Sequence, residues 1–320
     1  MVNSSLDTPE RTARDVDAAF VTMVGRLSRL SAGKGFDAYR DVDWDVEGGA
    51  LDPTDPRFIL PEVDPLAATE WYRTRSPEVQ ARIGLVRMAS CLKTGWHFEN
   101  LLQQGLLHRS LYLRDGSDEF RYVLHEVIEE SQHTLMFNEF VNRSGVAVRG
   151  MPRWLRQFTE LFVPRISLHD PAYFFWMVLG GEDPIDCLQR KMLATGSGHP
   201  LLDQIMRIHI TEEARHISYA RAALRKHVPR VSGPRRQLLS VMVPLTLGIM
   251  VRLMVRPTSD VVRAGVPLGV IQDAYRTEAG RALYVECAAK PRVLARELGL
   301  MTTLGERTWK AFGIWGPDAT

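Results

Sequence analysis

One arrangement of residues recurs in this chain and limits what it can fold into. His209-Ile-Thr-Glu-Glu-Ala-Arg-His216 places His209, Glu213 and His216 at i, i+4 and i+7, so on a helix the three side chains share one face over two turns. Glu126, Glu130 and His133 repeat that spacing 83 residues earlier, and the same offset carries Glu99 to Glu182. The chain therefore holds one plan twice: a Glu followed 31 positions later by Glu-x-x-His. A lone His-x-x-x-Glu on a polar helix face would read as a solvated surface; six positions in one plan do not.

The geometry of the plan follows from helix dimensions. Between Glu99 and Glu130 the strongest turn signal is Arg114-Asp-Gly-Ser117, and between Glu182 and Glu213 it is Gly196-Ser-Gly-His-Pro200. In a helical hairpin folded at Gly116 the two carboxylates lie about 25 and 21 Å from the turn; in one folded at Gly198 they lie about 24 and 22 Å from it. Each hairpin sets a Glu opposite a Glu-x-x-His, and two such hairpins make a four-helix bundle with these groups converging inside. That is the ligand pattern of ferritin-like dinuclear carboxylate proteins. The expectation is an all-α chain with a ferritin-like four-helix core at about 77–228, flanked by helices at 9–32 and 235–320, the whole of 1–320 forming one domain.

The individual elements read as follows. Residues 9–32 form an amphipathic helix with Ala19, Phe20, Met23, Val24, Leu27 and Leu30 on its apolar face. Residues 36–68 are a Pro- and Asp-rich connection. Asp41, Asp43 and Asp45 alternate there like the start of a calcium loop, but Val46 stands where that loop needs Gly. Ala32-Gly-Lys-Gly35 lacks the spacing of a phosphate loop and reads as a helix end. Bundle helices are expected at about 78–113, capped by Ser76 and Pro77, at 117–142, at 172–195 and at 200–227, with a further helix at 152–163 and a cap at Asp170-Pro171. Pro184, two residues after Glu182, predicts a kink or bulge. Residues 238–255 are the most apolar stretch; Pro244, Gly248 and Arg252 interrupt it, and it reads as a buried helix in which Arg252 needs a carboxylate partner. Residues 270–320 read as further helices.

Composition excludes several function classes. The 320 residues are 45% hydrophobic and 24% charged with a net charge of +2, too balanced to imply a nucleic-acid or membrane partner. The three scattered cysteines, Cys91, Cys187 and Cys287, suggest neither a disulfide framework nor a thiolate metal site. With a polar N-terminal stretch that has no signal-peptide core, they fit a reducing cytoplasm.

In the dinuclear reading, Glu99 and His133 cap one metal, Glu182 and His216 cap the other, and Glu130 and Glu213 bridge. Four carboxylates balance two divalent ions, whereas four buried carboxylates without metal could not all stay ionised. Iron suits the oxygen and nitrogen donors, and manganese is the alternative. The halves differ one turn before the bridging Glu, at Glu126 and His209; either is a candidate extra ligand. Glu126 is also a candidate to orient His133 or His216 through the far ring nitrogen, and Asp186 is a second such candidate.

Glu99, Glu130-x-x-His133, Glu182 and His209-x-x-x-Glu213-x-x-His216 together resemble the non-haem di-iron N-oxygenase family of p-aminobenzoate N-oxygenase, the AurF type. The resemblance is carried by about residues 80–225. It implies a third histidine ligand, matched here by His209, and a di-iron centre that uses O2 to oxidise an arylamine to the hydroxylamine or nitro compound. It also implies a homodimer. Electrons must come from a ferredoxin or reductase, because no flavin, nicotinamide or cluster-binding motif occurs in the chain. Leu102, Phe137, Val178, Leu179, Ile205 and Met206 are candidate walls of the substrate pocket. The other readings are a di-iron hydroxylase or desaturase acting on C–H bonds and a non-enzymatic ferritin-like iron-binding protein.

Overall fold

The computed structural model describes residues 13–196 and 198–316, and among them there is no β-strand. In chain order the helices are α1 (Ala13–Gly33), α2 (Glu70–Arg73), α3 (Pro77–Ser110), α4 (Asp118–Arg143), α5 (Arg153–His169), α6 (Pro171–Thr195), α7 (Pro200–His227), α8 (Gly233–Val255), α9 (Ser259–Arg263), α10 (Leu268–Ala274), α11 (Glu278–Cys287), α12 (Ala289–Glu297) and α13 (Thr303–Ala311). The expected start of the first helix, at 9–12, lies outside the described residues.

Helices α3 and α4 pair along their lengths, as do α6 and α7, and α4 and α7 meet across the middle. These are the two hairpins of a four-helix core. Local chemistry sets their ends. Pro77, Pro171 and Pro200 each occupy a first turn, where the missing N–H costs no bond. Ser117 Oγ accepts from Phe120 N at 3.2 Å, and Asp170 Oδ1 from Tyr173 N at 3.1 Å, which caps α4 and α6. The first hairpin turns at Gly116, whose φ of +71° favours a residue without Cβ.

Apolar side chains fill both ends of this bundle and leave its centre to polar ones. One end packs Leu102 and Leu106 of α3, Tyr122 and Val123 of α4, Phe174–Leu179 of α6 and Ile217–Leu224 of α7. The other packs Leu85–Leu92 of α3, Met136–Val141 of α4, Leu188 and Met192 of α6 and Leu201–Met206 of α7. The residues of the doubled plan fall between these two cores on all four helices.

The remaining helices clothe the bundle. Helix α1 lies on α4 and α7, α5 on α3, and α8 on α6 and α3, with α13 outside α8. Helix α8 is long and apolar enough to cross a membrane. Here Leu239, Val243, Leu247, Val251 and Val255, four residues apart, form a fully buried stripe against the core.

Three expectations are corrected, that for Pro184 only as to a bulge. Arg252 has no carboxylate partner among the described residues; its guanidinium donates to Gly248 O at 3.0 Å and Phe312 O at 2.7 Å and lies against the rings of Tyr284 and Phe312. Two carbonyls and two aromatic faces suffice because the side chain is only half-buried. Helix α6 continues as α-helix through Pro184 and forms no π-bulge. Helix α5 runs on through Pro164 to His169, beyond the expected end at 163, since a proline forfeits one backbone bond while the buried Val163 and Ser167 keep the inner face in register.

Candidate metal centre

Glu99 on α3, Glu130 and His133 on α4, Glu182 on α6, and His209, Glu213 and His216 on α7 are all buried, the most exposed at 3%. Ligand atoms of Glu99, His133, His209 and Glu213 lie within 4.8 Å of one another, and so do those of Glu130, His133, Glu213 and His216. His133 and Glu213 belong to both groups. His133 Nδ1 is 3.2 Å from Glu130 Oε2 and 3.4 Å from Glu213 Oε1. His216 Nδ1 is 2.8 Å from Glu130 Oε1 and 3.4 Å from Glu213 Oε1. His209 Nε2 is 3.4 Å from Glu99 Oε1 and 3.5 Å from Glu213 Oε1. Glu182 stands beside these groups rather than inside either; burial and the charges of Glu213 and Glu130 act on it at short range.

Electrostatics divides the four acids into two pairs. Burial, then the neighbouring carboxylates, raises Glu99 and Glu182 well above the carboxylate range. Burial pushes Glu130 and Glu213 upward as well, but His216 and the other imidazoles outweigh it and hold both down. His133 and His216 are raised despite their burial by the carboxylates they face. Protons thus neutralise what would otherwise be a concentration of buried negative charge, the role that divalent ions fill when bound.

The ring nitrogens facing away from the cluster are held by residues the sequence reading missed. His133 Nε2 meets Glu212 Oε2 at 3.0 Å, and His216 Nε2 meets Glu129 Oε2 at 2.8 Å. The exchange is reciprocal: each Glu-Glu-x-x-His helix orients the histidine of the other. Arg215 joins the two acids, its Nη2 lying 2.8 Å from Glu129 Oε1 and 3.1 Å from Glu212 Oε1. His209 is fixed separately, its Nδ1 2.9 Å from Gln189 Oε1 on α6. An amide oxygen can only accept, so Nδ1 carries the proton and Nε2 turns a lone pair toward Glu99 and Glu213. The signal for the acids was present, since the 83-residue offset also carries Glu129 to Glu212, and Gln189 lies two turns beyond Glu182 on α6.

The expected orienting residues do not perform that task. Glu126 is buried and its carboxyl is pushed up to about 8, mainly by burial, with His216 pulling it partly back. It bonds neither far nitrogen, because Glu129 and Glu212 occupy them. Asp186 is buried, and its carboxylate is taken by Arg190 Nε at 2.8 Å and Lys290 Nζ at 3.3 Å.

The residues fit a dinuclear centre on their own chemistry. Glu99 Oε2, both oxygens of Glu182 and Glu213 Oε2 are buried without a hydrogen-bond partner, a costly state unless another group binds them. Three imidazoles face the same space with their far nitrogens held, and mixed carboxylate and imidazole donors suit iron or manganese. A cavity of about 10 Å³, room for one water-sized molecule, adjoins the cluster, walled by Glu99, Glu182, His209, Phe98, Phe137 and Met254 among others. Of the expected pocket walls, Phe137 lines this cavity, and Leu102 and Val178 line a second, apolar one. Leu179, Ile205 and Met206 are plain core.

Comparison with known proteins agrees with this geometry. Uncharacterized proteins of Mycobacterium tuberculosis and Mycobacterium bovis are 39% identical over 303 residues, spanning 94% of this chain and 89% of theirs. Residues 17–299 match the family described as p-aminobenzoate N-oxygenase AurF. The chain belongs to that family, and its membership together with the buried cluster points to a di-iron oxygenase.

Proposed function

We propose that the protein binds two iron ions through Glu99, Glu130, His133, Glu182, His209, Glu213 and His216 and uses O2 to oxygenate the nitrogen of a small amine, an arylamine in the first instance. The observation that carries this reading is His209. A Glu/Glu-x-x-His pair on each hairpin belongs to many di-iron proteins. A third imidazole, with Nε2 3.4 Å from Glu99 Oε1 and Nδ1 fixed by Gln189, is the feature shared with N-oxygenases of this type.

When bound, the iron pair supplies electrons and an electrophilic site for O2, chemistry no side chain provides. The chain's part is positional. Glu129, Glu212 and Gln189 lock the three rings so that one nitrogen of each faces inward. The apolar cores on either side exclude bulk water, which strengthens every charge interaction at the centre. The small cavity beside Glu99, Glu182 and His209 leaves a space of about 10 Å³ open next to the cluster. A separate ferredoxin or reductase delivers the electrons.

Single-turnover product analysis tests the reading. Iron-loaded, chemically reduced protein is mixed with O2 and a panel of amines and hydrocarbons, and iron content is measured in parallel. Hydroxylamine or nitro product from an amine supports N-oxygenation. Two irons with hydroxylated or desaturated hydrocarbon and no nitrogen oxidation would replace it with C–H chemistry.

A further inference from the structure

Beside the metal centre lies a second void, separated from it by one side chain. It measures about 70 Å³ and sits among α3, α5, α6 and α8, with Phe98, Leu102, Leu155, Phe174, Val178 and Ile249 in its wall. Phe98 also lines the small cavity that contains Glu99, Glu182 and His209. Its ring rests on the backbone of α6 at Gly181, where a Cβ would sit 2.0 Å from Phe98 Cζ. The ring thus closes the gap one residue before Glu182. Neither void alone accepts an aromatic ring, since a dry cavity that binds benzene measures about 150 Å³. Swinging the half-buried Phe98 ring out of the gap would join them and add the space the ring now fills, which is what an aromatic guest needs.

The wall of the larger void offers nothing to a charge. Its two threonines are engaged elsewhere: Thr159 Oγ1 donates to Leu155 O at 2.9 Å, and Thr246 Oγ1 pairs with Tyr173 Oη at 2.6 Å. The cations that flank it in sequence lie outside its wall and point to other groups. Arg156, next to Leu155, lies 3.0 Å from His97 Nε2, and Arg252, next to Leu253, donates to the carbonyls of Gly248 and Phe312. A carboxylate among these lining side chains would lose water and meet no charged group in the wall.

We infer that this void is the binding pocket for the body of the organic substrate, that Phe98 is the gate between it and the metal centre, and that the substrate is a neutral, apolar amine rather than an amino acid or aminobenzoate. The inference rests on the proposed oxygenase reading for what happens at the reacting nitrogen; the pocket and its selectivity are separate from it.

Calorimetric titration of the full-length, iron-loaded protein under argon tests it without turnover. The probes are 4-methylaniline, toluene and p-aminobenzoate. The two neutral probes should bind, and 4-methylaniline should bind at least about 100-fold more tightly than p-aminobenzoate. Phe98→Trp, which fills the gap, should weaken 4-methylaniline by about tenfold, while thermal melts and iron content show the variant folded and loaded. Phe98→Leu, smaller than the native ring, should retain binding. Equal or tighter binding of p-aminobenzoate overturns the selectivity. No binding of either neutral probe, or binding indifferent to Phe98→Trp, overturns the pocket and its gate. Binding as expected with no nitrogen oxidation in single turnover would leave the pocket standing and defeat the N-oxygenase reading instead.

Discussion

Glu129 and Glu212 make the candidate metal centre a mutual construction of α4 and α7. Each acid orients the histidine borne by the opposite helix, and Arg215 ties both together. Removing such an outer partner typically costs about 10–100-fold in metal affinity. Glu129→Gln and Glu212→Gln should each weaken iron by that order, in a competition titration against a chelator of known affinity. Because the two acids share Arg215, the double variant should lose less than the sum of the single losses. Unchanged affinity in both single variants would show that the rings are held by packing alone. At this scale the sequence was readable where chemistry and periodicity coincide. Six of the seven expected ligands pair through one offset, and His209 shares a helical face with Glu213 and His216; all but Glu182 fall in the two compact groups, with Glu182 alongside. The orienting acids carried the same offset but point to the far side of the imidazoles, a direction that depends on how α4 and α7 cross. Asp186, on α6, had suitable spacing, but Arg190 and Lys290 take its carboxylate.

The elements were legible from end signals, and they place the cluster. Pro77, Ser117, Asp170 and Pro200 mark helix starts, and the Gly-containing turns mark the hairpins. What the sequence hid was the packing between helices and the connection at 36–68. Gly84 shows how close that packing is. A Cβ there would lie 1.7 Å from the carbonyl oxygen of Phe58, a backbone atom that has no rotamer to escape into. Gly84→Ala gains about 1 kcal/mol of helix propensity in isolation, yet the contact is with main chain. The variant should be destabilised by about 1–3 kcal/mol in chemical denaturation. A variant as stable as the parent would mean the connection can shift away from α3 at little cost. Helix α6 stays α-helical past Pro184 while packed against α7 and α8, so tertiary contacts offset the backbone bond the proline forfeits.

For the whole molecule, a buried polar centre between two apolar ends links stability to protonation and to metal. Away from the centre, His227 at the end of α7 is held at about 3, first by burial and then by Arg109, Lys226 and Arg230. Its Nε2 lies 3.4 Å from Arg109 Nη2, which requires a neutral acceptor. In the unfolded chain a histidine titrates near 6.5. The unfolded state therefore binds a proton that the folded state refuses, and stability falls as pH drops from about 6.5 toward 3. His227→Gln should flatten that part of the melting temperature profile while leaving the neutral-pH iron content unchanged. A profile as steep as the parent's would assign the acid sensitivity to other groups.

The central claim is that two metal ions sit at mid-bundle among seven side chains. Anaerobic ferrous titration of the full-length protein, with Glu130→Ala in parallel, tests it most directly. The account predicts two irons per chain in the parent and loss of most bound iron in the variant, which lacks a bridging carboxylate, with helical content retained. One iron or none in the parent, or two irons kept by Glu130→Ala, would contradict it.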